Sequence, residues 1–390
     1  MRIGLYGFGT VGSGVYRIAR DEKRKLEHFT QESIEIAGIV VRDCKKKRGS
    51  SIAQNDISLL TDDFESLLKD PAVDVIVDAM SDRNASIQLI KNALSAKKHV
   101  VSASKAAIAE CFEEMTRLAR RQGVFFLYEA AVAGGIPILR TLRSEMMRNT
   151  ITKLEGILNG SSNYVLSGMT EGKARESALA DASKHGYLEA DPTDDLSGAD
   201  ALRKLTILSS IILGKQVALH EIPCIGIEKI ETDDIAYMKK KRKVVKLIAH
   251  LEVQKRGYAA FVAPAALSEE SIFAGINDAQ NIVQFTGSHV GDLQLAGPGA
   301  GMEPTADAIW GDLLEIASGC ASQKSDFPLE TEYSLENFSM QQKGLYYVRE
   351  GSAQKSVFLT ASEAEKLSRE GKTVIWIGDE NAVFQHTKSQ

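Results

Sequence analysis

The chain opens on a short apolar stretch, Met1 to Tyr6, which gives way to Gly7-Phe8-Gly9-Thr10-Val11-Gly12 and then to a segment with helical periodicity from Ser13 to Phe29. A second strand is predicted at Ile34 to Val41 and a helix near Asp62 to Lys69. Val73-Asp74-Val75-Ile76-Val77-Asp78 is nearly continuous in apolar character, as a parallel strand covered on both faces requires. The alternation continues through Ile87 to Ala96, His99 to Val101, Ile108 to Gln122 and Val124 to Tyr128. Strand and helix in turn predict an α/β fold with a doubly wound parallel sheet and right-handed crossovers.

Past Gly134-Gly135-Ile136-Pro137 the rhythm changes. Ile138 to Met147 reads as a helix, Ile151 to Leu158 as a strand, and Ser197 to Leu213 as a long helix with Gly214 placed to stop it. Val245 to Val253, Ala259 to Val262, Ile282 to Gly287 and Val290 to Leu295 predict a second, mostly antiparallel sheet. A helix over Glu303 to Ser318 is expected to pack back on the first domain. A hydrophilic stretch from Ser322 to Phe338 then sets off a tail in which Leu345 to Arg349, Ser362 to Arg369 and Thr373 to Ile377 read as strand, helix and strand, a small appended domain.

Composition narrows the function classes. The 390 residues carry 47 basic and 52 acidic side chains, a net charge of −5, and 44% are apolar. That balance fits a globular protein and argues against a disordered chain or a nucleic-acid binder with a basic surface throughout. The four cysteines lie far apart, with no disulfide framework, and the seven histidines show no zinc-ligand spacing. No apolar run approaches the ~20 residues that span a bilayer, and no export signal precedes the first strand, so a cytoplasmic location without membrane or nucleic-acid partners is expected. The run Lys239 to Lys243 reads as the exposed end of a helix rather than a localisation patch.

The glycine loop has a physical purpose. Gly7 permits the tight turn, Gly9 lets the backbone approach a pyrophosphate, and Gly12 lets helix and strand pack closely, while helix N-terminal amides face the anion. Its place between strand and helix predicts a Rossmann-type dinucleotide site. At the end of the second strand, Asp43 could accept from a free ribose 2′-hydroxyl, whereas Arg42 and Lys45-Lys46-Lys47-Arg48 could neutralise a 2′-phosphate; the alternative is a solvated turn. The balance favours NADP and leaves NAD open.

The segment from Gly186 to Leu205 is a carboxylate-rich loop entering a helix on which Asp200 and Lys204 share one face at i and i+4. One reading is structural: Ser197 caps the helix and Lys204 makes a surface ion pair. The other is chemical. A lysine at the mouth of a buried helix, beside several acids, can be tuned for proton transfer, with Glu189 and Asp200 holding a substrate ammonium. Lys105, in Ser102-Ala103-Ser104-Lys105-Ala106 after a parallel strand, either faces the ligand crevice beside the nicotinamide or simply begins a helix. These features predict an NADP-dependent oxidoreductase acting on a small polar substrate.

The glycine loop, Ser104-Lys105, Tyr128 to Pro137, Gly156-Ile157-Leu158-Asn159-Gly160-Ser161-Ser162-Asn163-Tyr164, Gly186 to Lys204, and Gly297-Pro298-Gly299-Ala300-Gly301 with Pro304-Thr305-Ala306 together resemble the homoserine dehydrogenase family over roughly the first 320 residues. The resemblance implies reversible interconversion of L-homoserine and L-aspartate 4-semialdehyde with NAD(P), in threonine, methionine and isoleucine biosynthesis. It implies a dinucleotide-binding domain at 1–131, a catalytic and dimerisation domain at 132–300, a returning helix at 301–321 and a C-terminal extension at 322–390 of unassigned role. Lys204 is then the proton donor or acceptor, Lys105 lies near nicotinamide and substrate, and Glu189 and Asp200 bind homoserine. Phe8, Thr10, Val11, Arg42, Gly186 and Gly301 line the cofactor site with Gly7, Gly9 and Gly12. Glu129, Val132, Gly134 and Ile136 surround a monovalent cation, sodium, largely with backbone carbonyls.

The resemblance also implies a homodimer or homotetramer. Two departures stand out: Ser161-Ser162 replaces Thr-rich variants, and Met302-Glu303 replaces smaller residues after the Gly297 to Gly301 turn. The part beyond Phe338 is short for the βαββαβ threonine-sensing ACT domain that many relatives carry, which leaves inhibition by threonine an open question, and no aspartate kinase is expected before Met1. The competing readings are a related reductase of another small carbonyl and a non-catalytic dinucleotide sensor.

Overall fold

A computed structural model describes residues 1–47, 52–319, 335–339 and 341–377. Cys320 and most of the hydrophilic stretch from Ser322 to Phe338 lie outside the described residues. The chain divides into two compact units. One holds Met1–Thr141, Leu213–Gln216 and the segment from Ala300, and the other holds Leu142–Ile212, Val217–Gly299 and the C-terminal part.

Through the first unit the elements run β1 (Arg2–Tyr6), α1 (Thr10–Asp21), α2 (Lys23–Thr30), β2 (Glu35–Val40), α3 (Cys44–Lys47), β3 (Leu60–Thr61), α4 (Ser66–Lys69), β4 (Val75–Asp78), α5 (Arg83–Ser95), β5 (His99–Ser102), α6 (Lys105–Gln122) and β6 (Phe126–Leu127). The strands pair in parallel in the order β3-β2-β1-β4-β5-β6, the doubly wound order, whose switch point falls between β1 and β4. Every residue of β4 is buried, which is why Val75, Ile76 and Val77 follow one another without alternation. The single helix expected over 13–29 is two helices that break at Glu22: between Ala19 and Leu26 no residue is apolar, so no buried stripe carries one helix through.

The chain continues with α7 (Ile138–Met146), β7 (Ile151–Ile157), α8 (Gly160–Thr170), α9 (Arg175–Lys184), α10 (Thr193–Leu196), α11 (Ala199–Leu213), α12 (Thr232–Lys240), β8 (Lys243–Gln254), β9 (Gly257–Ser268), β10 (Gln280–Gly287), β11 (Gly291–Pro298) and α13 (Met302–Ala317). It ends with β12 (Glu336–Asn337), β13 (Lys343–Glu350), β14 (Ala353–Thr360), α14 (Ala361–Arg369) and β15 (Thr373–Trp376). The second sheet has the order β11-β10-β7-β8-β9-β15-β13-β14, with β12 also on β9. Its central pair, β8 and β9, stays in antiparallel register from Lys243–Ser268 to Gln254–Gly257.

The tail continues this sheet. Strand β15 pairs parallel with β9 at Trp376–Ala265, and Tyr346, Val348, Val374 and Trp376 enter the core that holds Ile248 and Phe261. Arg349 clamps the buried Asp234 of α12 with two bonds, Nε–Oδ1 at 2.6 Å and an NH2–Oδ2 contact of 2.8 Å, and Tyr347 donates to the same carboxylate at 2.9 Å. The pattern missed β14 because that edge strand is mostly exposed, and it missed α8 because that helix is buried over most of its length and shows no polar face.

Candidate functional site

In the first unit the glycine loop lies at the carboxyl end of β1. Gly7 has φ +94°, and a Cβ there would stand 2.5 Å from the carbonyl oxygen of Ala79; a Cβ on Gly12 would strike the carbonyl of Gly7. Above Gly9 nothing lies within 4 Å of where a side chain would begin. Gly9 is also the N-cap of α1, where no side chain caps the helix and the first turn carries no acidic residue. Two glycines required for packing and a third kept open fit a pyrophosphate. Thr10 is exposed and Val11 half-buried at the head of α1, whereas the Phe8 ring is buried edge-on to Tyr16 at 5.6 Å. Phe8 therefore offers a ligand its backbone.

Arg42 follows β2 with its side chain 83% exposed and a loose ion pair to Asp82 at 3.6 Å. Asp43 turns back instead: its Oδ1 accepts the amides of Lys45 at 2.9 Å and Lys46 at 3.2 Å, so the carboxylate caps α3. Of the two sequence candidates for the ribose, the guanidinium is the more available. The later part of the basic run, from Arg48, lies outside the described residues. Gly301, with φ +123°, caps α13. The departure after it has a structural cause: Met302 packs against Gly14, Glu303 pairs with Arg17, and the Trp310 indole donates to the Val15 carbonyl at 3.0 Å, which ties α13 to α1.

Lys105, half-buried, opens α6 directly beyond β5. The loop expected to hold a cation is also here. The Glu129 carboxylate is 1% exposed and accepts the amides of Leu139 at 2.7 Å and Arg140 at 2.8 Å, capping α7. Ala133 and Gly134 are both left-handed, and Val132 and Ile136 are buried. With both Glu129 carboxylate oxygens engaged by amides, main-chain carbonyls of the loop are the oxygens suited to a hard monovalent ion. Among the described residues no three His, Cys, Asp or Glu side chains cluster in a metal-holding group.

In the second unit, Lys204 and Asp200 form their i,i+4 pair at 2.7 Å with both side chains only 9% exposed. The pair is buried, not on the surface. Lys204 Nζ also donates to the Leu158 carbonyl at 2.6 Å. Ser197 follows α10 as its C-cap, and its hydroxyl accepts the amide of Ala199, the first residue of α11, at 3.4 Å, with Gly198 at φ +80° between them. Asn159 was not singled out from sequence, yet it organises the cluster. Its Nδ2 donates to Asp195 at 2.7 Å and to the Lys204-bound oxygen of Asp200 at 2.9 Å, while its Oδ1 caps α8 by accepting from Ser162 at 2.7 Å. The signal available was an Asn between an apolar strand and Gly160, a helix-cap position. Ser161 Oγ donates to the Tyr187 carbonyl at 2.6 Å, and Asp194 is held by Arg203 through two bonds. Glu189 and Gly186 lie on the exposed loop between α9 and α10. The arrangement presents one buried amine, held by a carboxylate and a carbonyl, next to a loop rich in acids.

Two family models match the chain: "Homoserine dehydrogenase, NAD binding domain" over residues 7–129 and "Homoserine dehydrogenase" over residues 137–314. The homoserine dehydrogenase of Bacillus subtilis is 36% identical over 317 residues, 81% of this chain and 72% of its own length. The solved homoserine dehydrogenase of Thiobacillus denitrificans superposes with TM-score 0.85 at 27% identity, covering 97% of this chain and 98% of that one. A hyperthermophilic archaeal homoserine dehydrogenase in complex with NADPH superposes with TM-score 0.66 at 25% identity, over 80% of this chain and 96% of the other. With these matches running through both units, the chain belongs to the homoserine dehydrogenase family.

Proposed function

We propose that this NAD(P)-dependent oxidoreductase interconverts L-homoserine and L-aspartate 4-semialdehyde, with Lys204 as the group that moves the hydroxyl proton. A bound nicotinamide dinucleotide supplies the hydride acceptor or donor. In reduction, the Lys204 ammonium gives a proton to the carbonyl oxygen as the carbonyl carbon gains hydride, and in oxidation the amine, in its neutral form, takes the hydroxyl proton as the carbinol carbon loses hydride. Asp200 at 2.7 Å and the Leu158 carbonyl at 2.6 Å fix the amine in one position, so little reorganisation is needed when the proton moves. Glu189 on the exposed loop, with Asp200, binds the substrate ammonium. Lys105 stands at the nicotinamide end of the dinucleotide. The observation that carries this reading is the buried Lys204–Asp200–Asn159 cluster, a costly arrangement for a surface helix and a useful one for proton transfer.

For the cofactor we propose NADP over NAD, supported by the exposed Arg42 and by Asp43 being spent on its own turn. Gly7, Thr10 and Val11 with the amides of α1 would hold the pyrophosphate, and Gly186 and Gly301 are further proposed cofactor contacts. The loop Glu129 to Ile136 would hold a monovalent cation, sodium, through carbonyls of Glu129, Val132, Gly134 and Ile136. The first unit is proposed as the dinucleotide-binding part and the second as the catalytic and assembly part, in a homodimer or homotetramer checked by sedimentation. No helix among the described residues is long and apolar enough to cross a membrane. The test is homoserine oxidation followed by reduced-nicotinamide absorbance, with NADP and NAD in turn. Homoserine-dependent reduction, faster with NADP at limiting cofactor, is the expected result; reduction driven only by another alcohol, or none despite cofactor binding, overturns it.

A further inference from the structure

One buried carboxylate in the first unit belongs to none of the groups described above. Asp78 ends β4, next to β1 at the sheet's switch point, and is 0% exposed. That is the edge of the sheet where a dinucleotide lies, so an anion there must be placed against both desolvation and the charge of a pyrophosphate. What surrounds it shows what it is for. Asp78 Oδ2 accepts from the hydroxyl of Ser102 at 2.9 Å, and that same Ser102 oxygen accepts the amide of Ser104 at 3.1 Å. The main-chain carbonyl of Asp78 accepts the amide of Ala103 at 2.9 Å, and the carbonyl of Ala103 accepts the amide of Lys105 at 3.0 Å. The turn from Ser102 to Lys105 is thus hung from Asp78 through successive bonds.

The other carboxylate oxygen faces the opposite way. Asp78 Oδ1 accepts the amide of Met80 at 3.1 Å and the hydroxyl of Ser86, on α5, at 3.1 Å. The Met80 bond holds the turn Asp78-Ala79-Met80, and the Ala79 carbonyl of that turn is the group that leaves no room for a side chain on Gly7. One carboxylate therefore joins the glycine loop on one side to the Lys105 turn on the other.

We propose that Asp78 is a positioning residue for the nicotinamide dinucleotide, holding the Ser102–Lys105 turn and the Gly7 loop in the geometry that binds it. The charged form accepts from Met80, Ser86 and Ser102 with full carboxylate strength. A protonated Asp78 carries an O–H on one of the two accepting oxygens, which weakens the bonds held there and with them one arm of the linkage. Burial raises its pKa from the usual carboxylate value to about 6, and the bonds from Met80, Ser102 and Ser86 oppose that rise. The groups facing it from the turn, from α5 and from β5 are one amide and two hydroxyls; neither Asp82, which caps α5, nor Lys105 at the head of α6 enters its charge balance. This inference rests on dinucleotide binding and not on the choice of substrate, so it stands or falls separately from homoserine turnover.

The test reads cofactor affinity by fluorescence of bound NADPH and NADH in the full chain, without substrate, from pH 5 to 8. For the wild type, affinity should fall as the pH drops through about 6. NADH is included because the 2′-phosphate of NADPH titrates in the same range. Asp78→Asn should bind about tenfold more weakly at neutral pH, the size of one lost charge-assisted hydrogen bond, and its NADH affinity should lose the limb near pH 6. Wild-type affinity in Asp78→Asn, or the same limb in both proteins, overturns the proposal. Should Asp78→Asn fail to fold, two milder variants decide. Ser102→Ala breaks the arm to the Lys105 turn, and Ser86→Ala breaks the arm to α5 alone. Weaker binding in Ser102→Ala with Ser86→Ala within about twofold of wild type supports the proposal; equal effects, or none in Ser102→Ala, refute it.

Discussion

Replacing Lys204 with methionine keeps an unbranched apolar stem as far as the ε position and removes the amine, so the two consequences of that loss can be worked out separately. The first is stability. Lys204 and Asp200 are a buried pair, each 9% exposed, and removal of one partner from such a pair costs about 3–5 kcal/mol because the other charge is left uncompensated. Asn159 still donates to Asp200 at 2.9 Å, which puts the expected cost at the lower end, about 3 kcal/mol. A domain with about 5–15 kcal/mol in hand stays folded after that loss. The second is chemistry. A positioned acid–base group contributes about 10²–10⁴ in rate, or about 3–5 kcal/mol of barrier. The expected Lys204→Met protein is therefore folded, less resistant to urea, and slower in kcat by ~10²-fold or more. Its NADPH affinity should be unchanged, because the Lys204 amine bonds to Asp200 and the Leu158 carbonyl, neither of which is assigned to the dinucleotide. Steady-state homoserine oxidation, with a urea titration and cofactor fluorescence on the same preparation, reads all three. Turnover within a few-fold of wild type in the folded variant would refute Lys204 as the proton-transfer group.

Four further outcomes are expected. Arg42→Ala should weaken NADPH by up to about tenfold while NADH changes little, since the exposed guanidinium meets only the 2′-phosphate; equal losses would remove that assignment. Glu129→Gln leaves one of the Leu139 and Arg140 amides without a carboxylate acceptor, a loss of about 1–3 kcal/mol that should lower the thermal midpoint by a few degrees. Exchange of sodium for a bulky organic cation should lower turnover without unfolding the protein, and undiminished turnover would exclude the cation. Lys246, 1% exposed and bonded to the oxygens of Asn163, Ser167, Ile276 and Asn277, has its pKa lowered by burial to about 8, partly countered by Asp278. The folded-state penalty on its charge is complete below pH 8 and vanishes toward the unfolded value of 10.5, so the wild type should gain stability relative to Lys246→Met as the pH rises between them. A difference in urea stability that stays flat over that window would contradict the shift.

What the linear order of residues determined by itself was whatever depends on near neighbours. The buried run at Val75 to Asp78 specified a parallel strand, Gly7, Gly9 and Gly12 specified an anion-binding turn, and the spacing of Asp200 and Lys204 specified that the two would meet. Periodicity and φ preferences act over a few residues, so they can be read in sequence. Tertiary structure alone decided whether those groups were dry, and what else reached them. The Lys204 pair is buried because β7 ends at Ile157, leaving the Leu158 carbonyl and the Asn159 amide beside it, 46 and 41 residues away from their partners in the chain. The tail extends a sheet rather than standing apart because β15 finds β9. Asp78 carries no motif; its surroundings come from three βα turns that meet only when parallel strands lie side by side. Desolvation and hydrogen-bond partnership are properties of proximity in space, and no local pattern encodes them.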